Sequence, residues 1–187
     1  MVRQAQKAKL RQTVLASLMA AMTFVLTYTL KIPSVNGYTH IGDTVIYLAA
    51  SLLPYPTAAL SAAIGAALSD AVGGYFTYII PTLVIKSLLV FCFTHKKEKL
   101  LCKRNAFAIL PAAIITICGY YAAEVVLFAI ASGDFSAYFF SAATWGTVFF
   151  ESVPGNVAQS VTSGAFYIAL SAALDAAGVK EKIIRKI

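Results

Sequence analysis

The chain has 187 residues, of which 59% are hydrophobic and only 12% are charged, and its formal net charge is +7. Soluble domains average about 45–50% apolar and about 25% charged residues, so this composition excludes an ordinary soluble protein and indicates an integral membrane protein. At about 20 residues per span, the length suits about five to seven spans and leaves no room for a soluble catalytic domain. The apolar runs are continuous, which indicates helices and not a transmembrane β-barrel.

Helix breakers such as Pro33, Pro54 and Gly73-Gly74 divide the chain into apolar segments. The expected fold is all-α, a six-transmembrane-helix bundle in one membrane domain. The first segment resembles a signal peptide in outline, but it continues into Lys31 without a small-residue cleavage site, so we expect a retained helix. Within the domain, residues 1–187, the predicted helices cover about residues 9–30, 43–53, 57–72, 79–94, 107–131 and 144–170.

Basic residues predict the orientation. Thirteen of the 15 lysines and arginines lie before or in the first turn of the first helix, between the fourth and fifth helices, or after the sixth. The positive-inside rule therefore places both termini in the cytoplasm. The exceptions are Lys31, at the outer end of the first helix, and Lys86, in the middle of the fourth. Topology and contact with lipid head groups explain the positive charge, so no nucleic-acid partner is needed.

The chain has no motif that predicts catalysis. It contains no HExxH sequence, no serine or cysteine nucleophile beside a histidine base, and no Walker A motif. Its three cysteines are far apart and predict neither a disulfide framework nor a metal site. We therefore expect no enzyme activity and no cofactor. If the protein moves a solute uphill, another subunit or an ion gradient must supply the energy.

Three charged residues are predicted at one depth in the membrane. Lys86, Glu124 and Glu151 each lie seven residues from the outer end of a helix, or roughly 10 Å below the outer surface. An ionised side chain in hydrocarbon is tolerated mainly where it faces protein or water, so this convergence predicts a polar chamber open to the outside. The two acids are the expected partners of Lys86. In the alternative interpretation, an ion pair of Lys86 simply locks two helices. Asp43 and Asp70 are expected to be structural polar residues.

Aromatic and amide side chains surround that level, as expected for a pocket that holds a small planar ligand. His40 is equally compatible with a plain loop residue, and Trp145 with an interfacial aromatic belt. The residues predicted to bind the substrate are Tyr38, His40, Tyr78, Lys86, Tyr120, Tyr121, Glu124, Trp145, Glu151, Asn156 and Gln159.

Small residues recur at four-residue spacing on two helices, the pattern of close helix packing in membranes. The third helix carries two such stripes, from Ala58 to Ala66 and from Ser61 to Ser69, which predicts that it lies at the centre of the bundle. The first helix has a shorter version at Ala16 and Ala20. That pair fits either packing within the chain or contact with another subunit.

Several segments resemble the substrate-binding S component of energy-coupling factor (ECF) vitamin importers, in its riboflavin-transporter-like branch. The resemblance covers about residues 15–170 and is densest over residues 36–89. The matching segments are Gly37 to Asp43 (GYTHIGD), Tyr47 to Ala50 (YLAA), Ile64 to Asp70 (IGAALSD) with Gly73-Gly74-Tyr75, and Pro81 to Lys86 (PTLVIK).

The resemblance implies a six-helix bundle in a cell membrane, that of a bacterium, which binds a vitamin or precursor from outside under a lid formed by the loop after the first helix. It implies partners: a transmembrane coupling subunit, which Ala16 and Ala20 would contact, and two ATPase subunits, which would hydrolyse the ATP while the S component topples in the membrane. It also adds Asn36 to the ligand-binding residues. Asp70 and Lys86 recur across relatives with different substrates, which weakens their claim to set specificity.

Four acids against one deeply buried lysine favour a ligand that donates hydrogen bonds or carries positive charge. We therefore prefer an aminopyrimidine, thiamine-like or pyridoxine-like substrate over riboflavin. The alternative function is a stand-alone, ion-coupled small-molecule carrier. A membrane enzyme or a purely structural subunit is a third reading, which the lack of a visible catalytic set disfavours.

Overall fold

A computed structural model describes residues 2–33 and 38–184. The structure is 82% helical and all-α, as predicted. A two-stranded antiparallel hairpin, β1 (Ile32–Pro33) and β2 (Tyr38–Thr39), follows the first helix, and a 3₁₀ turn covers Phe76–Tyr78. The helices in the described residues are α1 (Val2–Thr29), α2 (Asp43–Leu52), α3 (Tyr55–Gly73), α4 (Ile79–Val90), α5 (Lys103–Ala131), α6 (Phe135–Phe139), α7 (Ala142–Ala176) and α8 (Val179–Ile184).

Each of the six predicted helices overlaps one of the longer helices, whereas α6 and α8 were not predicted. Within the described residues, three helical segments are long and apolar enough to cross a membrane: Gln6–Thr29, Lys103–Ala131 and Ala142–Ala176. The apolar stretches Asp43–Leu52 and Phe76–Val90 are shorter. Six spans and two cytoplasmic termini therefore stay predictions.

Helix α2 is the centre of the bundle. All ten of its residues are buried, and it packs against α1, α3, α4 and α7. The placement of α3 at the centre was wrong, because α3 leaves one face open along Leu60, Ile64 and Leu68. The small residues of α3 allow close contact on its inner sides. The helix that the others surround is α2, which is short and has no exposed face.

The closest helix contact joins α1 and α3. The Ser61 hydroxyl donates to the Ala16 carbonyl at 2.9 Å, and Gly65 lies against the Ala20 carbonyl. A methyl group at Gly65 would come 2.8 Å from Cβ of Thr23, nearer than carbon atoms pack. The small residues of both helices therefore let the two backbones approach one another.

At the end of the bundle that carries the basic loop, a buried amide joins several segments. The Asn105 side chain donates to the carbonyls of Thr94 and Leu100 and to the hydroxyl of Ser51. Lys180, from α8, donates to the Ser51 carbonyl at 2.7 Å. These bonds satisfy a carbonyl at the end of α2 and two carbonyls of the loop between α4 and α5. The opposite end carries the hairpin and a cluster of tyrosines, and the main polar cavity lies there.

Candidate functional site

A polar cavity lies between α3, α4, α5 and α7, under the β1–β2 hairpin. Its volume is about 50 Å³, which is room for a few water molecules. Its wall carries hydroxyl, amide, imidazole and carboxyl groups beside an equal share of apolar surface. The lining residues are Thr27, Tyr38, Thr39, His40, Ala66, Asp70, Tyr75, Tyr78, Thr82, Tyr120, Glu124, Ser152, Gly155, Asn156 and Gln159.

Aromatic rings and one ammonium group close the outer side of the cavity. The rings of Tyr38 and Tyr75 lie 4.8 Å apart between centroids. The Lys31 ammonium is 4.7 Å from the ring centroid of Tyr28, 5.5 Å from that of Tyr38 and 5.7 Å from that of Tyr75. A cation at this distance from a ring is attracted by the ring face. Lys31, an exception to the positive-inside pattern, therefore connects the end of α1 to the hairpin and to the turn after α3.

Asp70 enters the cavity from the last turn of α3. Its side chain is buried, and its Oδ1 accepts a hydrogen bond of 2.7 Å from the Tyr38 hydroxyl. Burial raises the pKa of Tyr38, which lies in the hairpin, so this phenol stays a donor at neutral pH. The other carboxylate oxygen, Oδ2, is buried and accepts no hydrogen bond from any residue in 2–33 or 38–184. Asp70 is thus held by one oxygen and presents the other.

Glu124, on α5, repeats this arrangement on the opposite wall. Its Oε2 is buried and also has no hydrogen-bond partner among the described residues. The Ser152 hydroxyl of α7 lies close to the carboxyl group, but does not form a hydrogen bond of good geometry to that oxygen. A buried acceptor without a donor is unfavourable, so a free oxygen of this kind marks a place where a ligand or water is expected to donate.

The wall formed by α7 follows from its sequence spacing. Ser152, Asn156 and Gln159 recur every three or four residues and therefore share one helix face. The Asn156 amide donates to the carbonyl and hydroxyl of Ser152 at 3.0 and 3.1 Å. Beside Pro154, the Gly155 carbonyl accepts a bond of 3.3 Å from the Thr39 hydroxyl of the hairpin. The helix continues through Pro154, so the Gly155 carbonyl faces the cavity from within α7.

An ion pair lies directly beneath the cavity. Nζ of Lys86 is 2.7 Å from Oδ1 of Asp43 and donates to Oδ2 at 2.9 Å, and both side chains are fully buried. The Gln159 amide donates to the same Oδ2 at 2.9 Å, and the Tyr120 ring lies 5.0 Å from Nζ. The expectation that Glu124 and Glu151 pair with Lys86 is corrected here: the partner is Asp43, at the start of α2. The pair supports the floor through Gln159 and Tyr120, and Lys86 itself does not line the cavity.

His40 is neutral in the folded protein. It lies in the loop before α2, where burial lowers its pKa to about 4. Its Nδ1 accepts a hydrogen bond of 3.0 Å from the Gly42 backbone N–H. Nε2 then carries the proton, because a neutral imidazole that accepts at one nitrogen donates at the other. His40 therefore offers the cavity a donor without a charge.

Seven of the predicted binding residues line the cavity: Tyr38, His40, Tyr78, Tyr120, Glu124, Asn156 and Gln159. Tyr121 and Trp145 do not, because they pack together beside it. The Tyr121 hydroxyl donates to the Trp145 carbonyl at 2.9 Å, and the indole N–H of Trp145 donates to the Phe139 carbonyl at 2.8 Å. Glu151 is half-buried next to the lining residue Ser152 and is not part of the lining. Asn36 lies outside the described residues.

Several lining residues were not predicted as ligand contacts. Asp70 was assigned a structural role, and Tyr75 was not among the predicted contacts. Thr82 lies one turn before Lys86 on the same face of α4, so its position could have been read from helical spacing. Thr27 lies seven residues after Ala20 on the face of α1 that carries the small residues, so helical spacing also indicated its position.

Comparison with known families shows which family the chain belongs to. The family described as "ECF-type riboflavin transporter, S component" matches residues 7–176. The chain belongs to this family. The resemblance seen in the sequence is thereby confirmed, whereas no curated protein matches the chain. S components are membrane-embedded transporter subunits rather than enzymes; they bind a small vitamin ligand and work with partner subunits of the ECF transporter. In this S component, the cavity is the candidate ligand site.

Proposed function

We propose that this S component captures a vitamin or vitamin precursor from outside the cell for ATP-driven uptake. One observation carries the proposal: a buried polar cavity with free acceptor oxygens lies at one end of the bundle, in a chain of this family. Cavities with a few convergent polar groups among aromatic walls are typical of small-molecule sites. The cavity residues bind the ligand directly, while the Lys86–Asp43 pair keeps the floor in place.

For the ligand, we propose an aminopyrimidine, a thiamine-like or a pyridoxine-like compound, with riboflavin as the alternative. Planar rings of these sizes match a wall that carries Tyr38, Tyr75, Tyr78 and Tyr120. The free oxygens of the acids favour compounds that donate hydrogen bonds. Riboflavin, the ligand in the family's name, is a larger and neutral molecule, so it would form no hydrogen bond to these acids that its own positive charge assists.

Ligand entry requires the walls to move, because a volume of about 50 Å³ is far below that of a vitamin. The described strands of the hairpin meet the rest of the wall through contacts that include the 3.3 Å bond from Thr39 to Gly155, the Tyr38–Asp70 bond and the Lys31 contacts. We propose that these contacts open and re-form around the ligand. The segment after α1 would then act as the lid.

A second groove runs along α1 and α3 on the outside of the bundle, and its volume is about 520 Å³. Ala16 and Ala20 line it together with Gly65 and apolar side chains such as Leu60 and Ile64. We propose that the transmembrane coupling subunit packs a helix here, since small residues allow close approach. Two ATPase subunits would bind the coupling subunit and hydrolyse the ATP.

The proposal is tested by calorimetry on the purified chain in detergent. The panel is hydroxymethylpyrimidine, thiamine, pyridoxine and riboflavin. We expect at least one compound to bind tightly, and Asn156→Ala to weaken it several-fold. The control is Glu98→Gln, in the exposed basic loop. Tight binding that Asn156→Ala and Glu124→Ala both leave unchanged would reject this cavity as the site.

The alternative function is a stand-alone, ion-coupled carrier. It is favoured by two carboxylates that face one small cavity, since such oxygens can also hold a cation. Liposomes that contain the chain alone separate the two functions. Uptake driven by an ion gradient without ATPase subunits would support the carrier, and uptake that requires the partner subunits and ATP would support the importer.

A further inference from the structure

Two carboxylates face the same cavity from opposite walls, each with a buried oxygen that has no donor. These are Oδ2 of Asp70 and Oε2 of Glu124, and neither accepts a hydrogen bond within the described part of the chain. Asp70 is only 5% exposed. The Thr82 hydroxyl lies near it, yet donates no bond of good geometry to Oδ2. Both oxygens therefore have the position and the chemistry of ligand acceptors.

The ionisable lining of the cavity is acidic and has no basic counterpart in the described residues. Among the lining residues that the structure describes, the ionisable groups are Asp70, Glu124, tyrosines and His40, with no lysine or arginine. Lys86 lies beneath the floor and is paired with Asp43. Lys31 lies over the tyrosine rings at the mouth and is not part of the lining. Two acids thus share one cavity, and the described part of its wall supplies no cation.

Asp70 is fixed in this orientation by a neighbour. The Tyr38 hydroxyl occupies Oδ1, so the carboxylate cannot turn both oxygens away from the cavity without losing that bond. The hairpin that carries Tyr38 also covers the cavity. Tyr38 acts in this arrangement as a positioning residue for Asp70.

We propose that Asp70 and Glu124 together select a ligand that carries a positive charge and at least two N–H or O–H donors, and that they reject its phosphorylated form. The chemical class is an unphosphorylated, cationic nitrogen heterocycle or heterocyclic amine. Charge-assisted hydrogen bonds to each carboxylate provide the selectivity. A phosphate would meet two acidic side chains and no lysine or arginine in the described wall. This inference rests on the proposed vitamin-binding function and assigns Asp70, predicted as structural, to ligand recognition.

The wild-type protein supplies the first arm of the test. Calorimetry compares compounds that share a ring and differ in charge: pyridoxamine with pyridoxine, and thiamine with thiamine monophosphate, with riboflavin as a neutral reference. In whichever pair binds the protein, we expect the cationic, unphosphorylated compound to bind at least about 10-fold more tightly than its counterpart. We expect the same difference in affinity relative to riboflavin. Equal affinity within each pair would overturn the inference.

Variants supply the second arm. Asp70→Asn and Glu124→Gln keep the shape of each side chain and remove its charge, and each is expected to weaken the cationic probe by about 10-fold or more. Tyr38→Phe, which removes only the bond to Oδ1, is expected to have a smaller effect. Glu98→Gln removes the same charge from an exposed loop and is expected to have none. Gel filtration of each variant reports folding; if Asp70→Asn does not fold, Glu124→Gln and the wild-type pairs decide.

The outcomes separate the two proposals. If riboflavin binds most tightly and both variants leave its affinity unchanged, the charge selection is wrong and the vitamin-binding function stands. If none of these probes binds the wild-type chain, the charge selection and the proposed ligand class are both wrong. If the cationic probe binds and both variants weaken it, Asp70 and Glu124 are its acceptors.

Discussion

Replacing Lys86 with methionine should strongly destabilise the protein. Lys86 and Asp43 are both fully buried, and Nζ lies 2.7 and 2.9 Å from the two carboxylate oxygens. Methionine fills similar space but leaves the Asp43 carboxylate with the Gln159 amide, at 2.9 Å, as its remaining side-chain donor in the described structure. A buried charge without a counter-charge is the unfavourable state that this substitution creates.

The magnitude follows from that burial. Removing one partner of a buried ion pair costs about 3–5 kcal/mol, a large fraction of a total stability of about 5–15 kcal/mol. For a chain of this size the cost corresponds to a fall in Tm of roughly 6–20 °C. The double variant Lys86→Met with Asp43→Asn removes both charges, so it should recover most of this loss.

Thermal unfolding in detergent, followed by tyrosine and tryptophan fluorescence, measures all four proteins of this cycle. Ser87→Ala is the matched control, because the Ser87 hydroxyl bonds only to the Leu83 carbonyl of its own helix in the contacts described. The reasoning is refuted if Lys86→Met lowers Tm by no more than Ser87→Ala. It is also refuted if the double variant is as unstable as the sum of the two single variants.

Three further predictions concern packing, pH and the mouth of the cavity. Gly65→Ala should cost about 1–3 kcal/mol by overpacking α1 against α3, whereas Gly146→Ala, with open space around it, should be neutral; equal Tm values would contradict the contact. Burial lowers the pKa of His40 to about 4 from its ordinary 6.5, so the unfolded chain binds a proton at His40 more readily than the folded protein does. The stability that depends on neutral His40 should therefore be complete above pH 6.5 and decline as the pH falls toward 4. His40→Asn should flatten that part of the Tm–pH curve, and an unchanged slope in this variant would contradict the prediction. Thr82→Cys, in a background without native cysteines, reports access to the cavity for a water-soluble thiol reagent. Lys31→Ala should speed this modification several-fold, whereas Lys31→Arg keeps a cation over the rings and should not. Equal rates in the two Lys31 variants would exclude a role of the Lys31 cation in closing the mouth of the cavity.

The helices and the family could be predicted from local sequence patterns. Apolar runs, their breakers and the basic segments are properties of neighbouring residues, because helix backbone groups bond within the segment. The stripe from Ser152 to Gln159 was predictable for the same reason, since helical spacing alone places those residues on one face. The short motifs around Asp43, Asp70 and Lys86 sufficed to suggest the family that the comparison confirmed.

The rotation of each helix about its axis could not be predicted from the sequence. The rise per residue fixes the depth of Lys86, Glu124 and Glu151 from the sequence, but packing decides which way each side chain points. Depth alone therefore suggested Glu124 as a partner of Lys86, whereas the structure turns Lys86 toward Asp43. The same limit applies to Trp145, which lies near the predicted level but packs on Tyr121 beside the cavity.

The sequence by itself determined that this protein is helical, lies in a membrane and belongs to the S components, because hydrophobicity and short motifs act locally. The tertiary structure decided that α2 is the centre and that Asp70 presents a free oxygen to the cavity. It also decided that Lys31 holds three tyrosines at the mouth. Each of these depends on residues distant in the chain that meet only when the helices pack, so no local pattern encodes them.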